Sequence, residues 1–140
     1  MSDPINSSKA PEPVGAYPHA RKVGNLLFLS GVGPRKRGSM EIPGVTLDEK
    51  RNIIAYDIEL QCHSVFQNVK LILEASGSKW ENLVDVTVFL TNMKNDFQAF
   101  NKIYAEYFKD KDNQPCRTTV EVNALPTPIA IELKCIAIIE

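Results

Sequence analysis

Residues 129–138 read IAIELKCIAI, and this stretch decides the fold. Alternate side chains are apolar, which predicts a β-strand with one face in the core. The apolar face consists of Ile129, Ile131, Leu133, Cys135 and Ala137. The other face carries the charges of Glu132 and Lys134 beside Ile136 and Ile138. This mixed face is too apolar to lie bare in solvent, so we expect it to pack against other subunits.

Two predicted helices supply the cover for the apolar face. The first runs from an N-cap at Asp57 to a stop at Gly77, with apolar residues at helical spacing. The second spans residues 96–108 and has a row of aromatic side chains. The other predicted strands are residues 21–29 with a turn at Gly24-Asn25, a weak strand or hairpin at 45–55, residues 84–90 and residues 117–122. The order β, β, α, β, α, β, β predicts an α+β fold with both helices on one face of a sheet.

Size and composition indicate a single globular domain over residues 1–140, with residues 1–14 as a flexible or partner-contacting tail. Hydrophobic residues make up 44% of the chain and the net charge is −1. No apolar run approaches the roughly 20 residues of a membrane helix, and the near-neutral charge gives no general attraction to nucleic acid. The three cysteines lack a disulfide-framework spacing, which favours reduced thiols and a cytoplasmic location.

The sequence contains none of the common metal or cofactor motifs. There are two histidines, and no HExxH, CxxC, Walker or GxGxxG pattern is present. We therefore expect no metal and no cofactor, and any activity must rest on ordinary side chains.

Two charged residues stand out in the predicted strands. Arg117 begins a strand, where its guanidinium could bind a carboxylate through paired hydrogen bonds or form a structural salt bridge, for example to Glu121. Glu132 lies in an apolar strand, where it could be paired with Lys134 or could activate water. The residues alone leave both alternatives open.

Other candidates lie near the N-terminus and in a basic loop. Tyr17 could contribute a hydroxyl to a site or merely cover a hydrophobic edge. Arg35, Lys36 and Arg37 could form a solvated loop, or they could attract an anionic substrate to a neighbouring pocket.

Several segments together resemble the RidA/YjgF family. The most specific is CRTTVEV at residues 116–122, followed by Leu125-Pro126. The others are Gly15–Tyr17, Leu29–Gly31, Asn68–Lys70, Thr87–Leu90 and Ile131-Glu132. The resemblance implies a chorismate-mutase-like (YjgF-type) mixed β-sheet with two helices on one face. It also implies a homotrimer around a central barrel, or a dimer of such trimers, with active sites in the clefts between subunits.

The resemblance further implies cofactor-free hydrolysis of enamines or imines. In such proteins the strand arginine, here Arg117, grips the substrate carboxylate, and Tyr17 reaches the site from near the N-terminus. Glu132 would activate or orient water. The substrate pocket is completed at Gly31, Phe89 and Thr119. Thr119 stands where the family often has cysteine, but its backbone amide is unaffected by that change.

The basic loop at residues 32–37 and the segment Gly15–Arg21 make the chain most like the 2-aminomuconate deaminase branch. Such an enzyme acts in bacterial degradation of aromatic compounds, in aminophenol, nitrobenzoate or tryptophan-type pathways, and releases 4-oxalocrotonate and ammonia. Its substrate is a dicarboxylate enamine, so the distal carboxylate needs a second cation. We hypothesise that Arg35, Arg37 or His19 supplies it.

Two alternatives remain beside this assignment. One is a general RidA-type 2-iminobutanoate/2-iminopropanoate deaminase, which would use Arg117 on a monocarboxylate. The other is a non-catalytic regulatory trimer that binds small carboxylates in the same clefts.

Overall fold

The computed structural model describes residues 2–140. The strands are β1 (Ser2–Ile5), β2 (Ala20–Val23), β3 (Leu26–Leu29), β4 (Val45–Leu47), β5 (Ile53–Tyr56), β6 (Leu83–Leu90), β7 (Cys116–Glu121) and β8 (Ile131–Ile138). The helices are α1 (Ile58–Ala75) and α2 (Met93–Tyr107). Short 3₁₀ turns lie at Trp80–Asn82 and Lys111–Asn113.

The main sheet has six strands in the order β1-β2-β3-β8-β6-β7. The β6–β7 pair is parallel and the other pairs are antiparallel, so the sheet is mixed, as the family resemblance implied. Strands β4 and β5 form a separate hairpin. The predicted α+β fold is confirmed, and of the strand or hairpin expected at residues 45–55 the structure shows the hairpin, which lies outside the main sheet.

The predicted faces of β8 are confirmed. Ile131, Leu133, Cys135 and Ala137 are buried, whereas the residues between them are half-buried or exposed. Helix α1 covers the apolar face with Cys62, Val65, Phe66, Val69, Ile72 and Leu73. Fully burying one such aliphatic or aromatic side chain contributes about 1.5–3 kcal/mol, so this contact is a main source of stability.

The ends of α1 match the predicted signals. The Asp57 carboxylate accepts hydrogen bonds from the Glu59 and Leu60 amides, as an N-cap does. At the other end Gly77 has a φ of 75°, and the Ser78 amide donates to the carbonyl of Leu73. Helix α2 begins earlier than expected because Asn92, rather than a later residue, caps it by accepting from the Asn95 amide.

The N-terminal segment expected to be a tail instead packs on the fold. Residues Ser2–Ile5 form the edge strand β1 against β2. Further along, Ser7 and Ala10 are buried, and the Ser7 amide donates to Nδ1 of His19. These are long-range contacts that the polar composition of the segment does not reveal.

Among residues 2–140, no helix combines the length and apolar character needed to cross a membrane.

Candidate active site

The predicted site residues fall into two groups on opposite faces of the sheet. Arg117 pairs in register with the buried Val86, so its side chain lies on the face covered by the helices. Glu132 pairs with the half-buried Phe89 on the other face. Within one chain, the proposed carboxylate clamp and the proposed water-activating carboxylate therefore do not meet.

Arg117 is held by helix α2. Its Nη1 donates to Oδ1 of Asn101 at 2.9 Å. The guanidinium carbon lies 4.7 Å from the ring centroid of Tyr104 and 5.4 Å from that of Phe100. Such stacking fixes the plane of the guanidinium and is worth about 0.5–1 kcal/mol or more per ring when partly desolvated. One of five N–H donors is used on Asn101, which leaves others for a ligand.

The alternative of a structural salt bridge between Arg117 and Glu121 is not realised. The Glu121 carboxylate instead accepts from the Met93 amide at 2.9 Å. In the described part of the chain, the single ion pair joins Arg37 to Glu12.

Two buried hydroxyl oxygens on the Arg117 side of the sheet, Oη of Tyr104 and Oγ1 of Thr119, have no hydrogen-bond partner among residues 2–140. Burial raises the pKa of Tyr104 to about 12, although the charge of Arg117 opposes the shift, so the hydroxyl stays protonated at neutral pH. Thr119 pairs with Val88 and thus points to the same face as Arg117. These groups can serve a ligand or a second subunit that comes up to this edge.

Glu132 is not paired with Lys134, whose Nζ donates to the Leu29 carbonyl instead. Burial raises the pKa of the Glu132 carboxyl, and the positive charge of Arg35 partly offsets this. Gly31 passes so close that a Cβ there would lie 2.8 Å from Oε2 of Glu132. A half-buried carboxylate without a paired cation can exchange a proton with water more readily than one locked in a salt bridge.

A small cavity lies at Gly31, the residue against which the Glu132 carboxylate packs. Its volume is about 30 Å³, and its lining includes Tyr17, Ser30, Gly31 and Arg35. That volume exceeds the roughly 10–15 Å³ that one water molecule needs. It cannot enclose a larger metabolite, so a substrate would need space contributed from outside the single chain.

His19 lines the cavity but has no free ring nitrogen. Its Nδ1 accepts from the Ser7 amide at 2.9 Å and its Nε2 lies 2.6 Å from the Pro11 carbonyl, to which it donates. This pattern fits a neutral imidazole with the proton on Nε2. His19 therefore anchors the N-terminal segment and has no donor left for the distal carboxylate.

Arg37 is likewise engaged elsewhere. Its Nη1 donates to the carbonyls of Ser7 and Ala10, and its Nε lies 3.2 Å from Oε1 of Glu12. Arg35 differs, because it lines the cavity and its Nη2 makes one bond, at 2.7 Å, to the Glu12 carbonyl. Of the three hypothesised cations, Arg35 alone retains both a position at the cavity and unused donors.

Sequence reasoning missed Asn101 and Ser30, and it assigned Tyr104 to the core alone. Ser30 lines the cavity and donates through Oγ to the Pro18 carbonyl at 2.7 Å. The spacing of Asn101 and Tyr104, three residues apart on a helix, was visible, but what faces them depends on where β7 docks.

Within residues 2–140, no three His, Cys, Asp or Glu side chains converge as metal ligands would.

Comparisons with known proteins cover nearly the whole chain. Residues 7–139 match the family described as Endoribonuclease L-PSP. A RutC family protein of Pyrococcus horikoshii is 40% identical over 138 residues, which are 98% of each chain. The 2-iminobutanoate/2-iminopropanoate deaminase of Dermatophagoides farinae is 35% identical over 137 residues, covering 97% of this chain and 95% of that one. The crystal structure of E. coli TdcF with bound serine has a TM-score of 0.82 at 29% identity, over 99% of both chains.

Proposed function

The chain belongs to the RidA/YjgF family, whose members include the RutC and L-PSP proteins, and on that premise we propose that it hydrolyses the imine or enamine of a carboxylate-bearing substrate without a cofactor. The observation that carries this proposal is the state of Glu132. It is half-buried, has a raised pKa, makes no ion pair within residues 2–140 and lies against Gly31, which lines a water-sized cavity.

The chemistry requires two proton transfers that one carboxylate can perform. An enamine first tautomerises to the imine, because its carbon gains a proton and its nitrogen loses one. The imine nitrogen takes a proton from solvent, and Glu132 takes a proton from water as the water oxygen bonds to the imine carbon. Glu132 then gives that proton to the nitrogen of the carbinolamine, the C–N bond breaks, ammonia leaves, and the hydroxyl proton returns to solvent as the ketone forms. The sum is imine plus water giving ketone plus ammonia, so nothing is oxidised or reduced.

Assembly would bring the two groups of site residues together. We propose a homotrimer in which the mixed face of the sheet forms a central barrel. Arg117 and Thr119 of one subunit would then face Glu132, Gly31 and Tyr17 of the partner subunit across a cleft. The half-buried Phe89 on the mixed face would close the pocket from below. The exposed apolar residues of that face, including Val120 at 37% exposure, support a buried contact there.

For the substrate we propose 2-aminomuconate, which carries two carboxylates. Arg117 would bind the carboxylate next to the imine carbon, and Arg35 would bind the distal one. The support is the placement of Arg35, with donors to spare, at the cavity that Gly31 lines, where its charge lowers the pKa of Glu132. A charge-assisted hydrogen bond contributes about 1.5–3 kcal/mol, which is enough to separate a dicarboxylate from a monocarboxylate.

The second candidate substrate is a 2-imino monocarboxylate. The name of the Dermatophagoides farinae relative supports it directly, and the comparisons favour it over the dicarboxylate. Arg117 and Glu132 would act in the same way, and Arg35 would then have no role in binding.

A comparison of kcat/KM for the two substrates distinguishes these proposals. 2-Aminomuconate is generated enzymatically in situ, and the loss of its near-UV absorbance and the release of ammonia are followed, with 2-aminoacrylate in parallel. We expect a higher kcat/KM for 2-aminomuconate. A preference for 2-aminoacrylate would exclude the dicarboxylate assignment, and turnover of neither substrate would favour a non-catalytic carboxylate-binding role.

A further inference from the structure

Helix α1 holds three consecutive carbonyl groups of the loop that carries Arg35. Nδ2 of Asn68 donates to the carbonyl of Gly33 at 2.8 Å and to that of Arg35 at 2.7 Å. Oγ of Ser64, one helical turn earlier, donates to the Pro34 carbonyl at 2.8 Å. The backbone of the loop is therefore fixed from the helix side, residue by residue.

Asn68 is suited to this task by its chemistry. It is 7% exposed, and both N–H groups of its amide are used on the loop. A buried neutral side chain with two donors on one nitrogen is required here, because a charged one would be costly to bury and a hydroxyl has one donor. Its role in the core is small, since its neighbours Val65, Val69 and Ile72 provide the apolar packing of α1.

The hydrogen bonds from Asn68 and Ser64 to the loop bear on one of its three cations, Arg35, and not on Lys36 or Arg37. Lys36 is exposed, and Arg37 is engaged with Ser7, Ala10 and Glu12. Arg35 is half-buried at the cavity, with its backbone carbonyl bound by Asn68 and its guanidinium bound once, to the Glu12 carbonyl. An arginine held at its backbone carbonyl and by one guanidinium bond loses less freedom when a carboxylate binds, which lowers the entropic cost of binding.

We propose that Asn68 is a positioning residue that sets Arg35 for the distal carboxylate of the substrate, and so acts in selecting dicarboxylates over monocarboxylates. This inference rests on the proposed function. It adds a residue on the far side of the loop that touches no substrate, together with a defined energetic link between Asn68 and Arg35.

The test is a double-mutant cycle read as KM for two substrates. Asn68→Leu keeps the approximate volume and removes both donors. We expect it to raise KM for 2-aminomuconate about tenfold, the loss of roughly one charge-assisted hydrogen bond, with kcat and the KM for 2-aminoacrylate changed less than about threefold. Arg35→Gln should raise the same KM. The double variant Asn68→Leu/Arg35→Gln should be no worse than Arg35→Gln, because a positioning residue has nothing left to position.

Controls separate this role from a merely structural one. Lys36→Gln removes a charge from the same loop and should leave both KM values unchanged. Ser64→Ala removes one of the three loop bonds and should give a smaller effect in the same direction, which also serves if Asn68→Leu folds poorly. Additive effects of Asn68→Leu and Arg35→Gln, or equal KM increases for both substrates, would overturn the inference.

The test distinguishes failure of the proposed dicarboxylate substrate from failure of the role proposed for Asn68. If the wild-type protein prefers 2-aminoacrylate, the dicarboxylate assignment falls and the role of Asn68 falls with it. If the wild-type protein prefers 2-aminomuconate and Asn68→Leu retains that preference, the role of Asn68 alone is refuted.

Discussion

A carboxyl group that leaves water without gaining a paired cation holds its proton more tightly. Glu132 is such a group, because Lys134 is turned to the Leu29 carbonyl and burial raises the Glu132 pKa. The charge of Arg35 pulls that pKa back down. At the scale of single residues, the activity proposed for Glu132 therefore depends on Arg35, which is proposed to bind a different part of the substrate.

This coupling predicts a shift in the pH profile. Glu132 must be ionised to take a proton from water, so kcat/KM should fall as the pH drops through its raised pKa. Arg35→Gln removes the effect that lowers the pKa, and the acid limb should therefore move to higher pH. The profile is measured with 2-aminoacrylate, whose binding does not involve Arg35, and Lys36→Gln serves as the control of equal charge. A limb that stays in place or moves to lower pH would contradict the prediction.

Gly31 offers a steric test of the same carboxylate. A Cβ at this position would lie 2.8 Å from Oε2 of Glu132, so Gly31→Ala must push the carboxylate aside. We expect a fall in kcat of about tenfold or more, in keeping with the 10²–10⁴-fold contribution of general acid–base catalysis, with little change in melting temperature. Unchanged kcat in the folded variant would mean that the position of Glu132 is not critical.

At the scale of elements, the β4–β5 hairpin is joined to the rest of the fold through a buried polar contact. Tyr56 at its end donates a hydrogen bond of 2.6 Å to Oδ2 of Asp96, which is 5% exposed on α2. Burial raises the pKa of Asp96, and the bond from Tyr56 lowers it. The hydroxyl thus reduces the cost of keeping a buried carboxylate ionised.

Tyr56→Phe should lower the free energy of unfolding by about 1–3 kcal/mol at neutral pH, the usual penalty for an unsatisfied buried group. A folded-state pKa above the unfolded value means that stability is lost as the pH rises through it. Tyr56→Phe raises the folded-state pKa of Asp96 further. The loss in free energy of unfolding should therefore become smaller when the pH is lowered below the ordinary pKa of aspartate, where Asp96 is protonated in both states. Urea unfolding at neutral pH and at a pH below the ordinary pKa of aspartate, with equal protein concentrations, measures this loss. Tyr17→Phe, which changes an exposed tyrosine, is the control. A deficit independent of pH would contradict the assignment.

The sequence predicted those elements whose signals are local. The alternation in β8, the Asp57 cap and the Gly77 stop each lie within a few residues of what they determine. Strand β1 was missed because Ser2–Ile5 shows no alternation and is held by pairing with a strand about eighteen residues away.

In the candidate site, too, local sequence signals predicted some features, whereas others depend on long-range contacts. Arg117 and Glu132 were identified from the sequence, and the alternation in β8 gave the face of Glu132. That Arg117 lies on the opposite face follows from the register of β7 against β6, which no local signal gives. The bonds that remove His19 and Arg37 from the list of cations are also long-range, since they reach back to the segment between Ser7 and Glu12.

At the scale of the whole molecule, the proposed site residues of one chain form two separate groups. Arg117 and Thr119 lie toward α2 at the β7 edge, whereas Glu132 lies on the other face of the sheet, against Gly31. The proposed deaminase therefore has to be an assembly in which each site takes Arg117 from one subunit and Glu132 from the next. This is the central claim, and it can be tested without knowing the geometry of the assembly.

The most direct measurement is subunit complementation. Arg117→Ala and Glu132→Gln are each expected to be inactive with the better of the two substrates. Co-expressed with different tags and purified through both, they form mixed trimers, in each of which about one third of the sites combine an intact Arg117 with an intact Glu132. We predict recovery of about one third of wild-type activity. Doubly tagged trimers that remain as inactive as their parents would contradict a site shared between subunits.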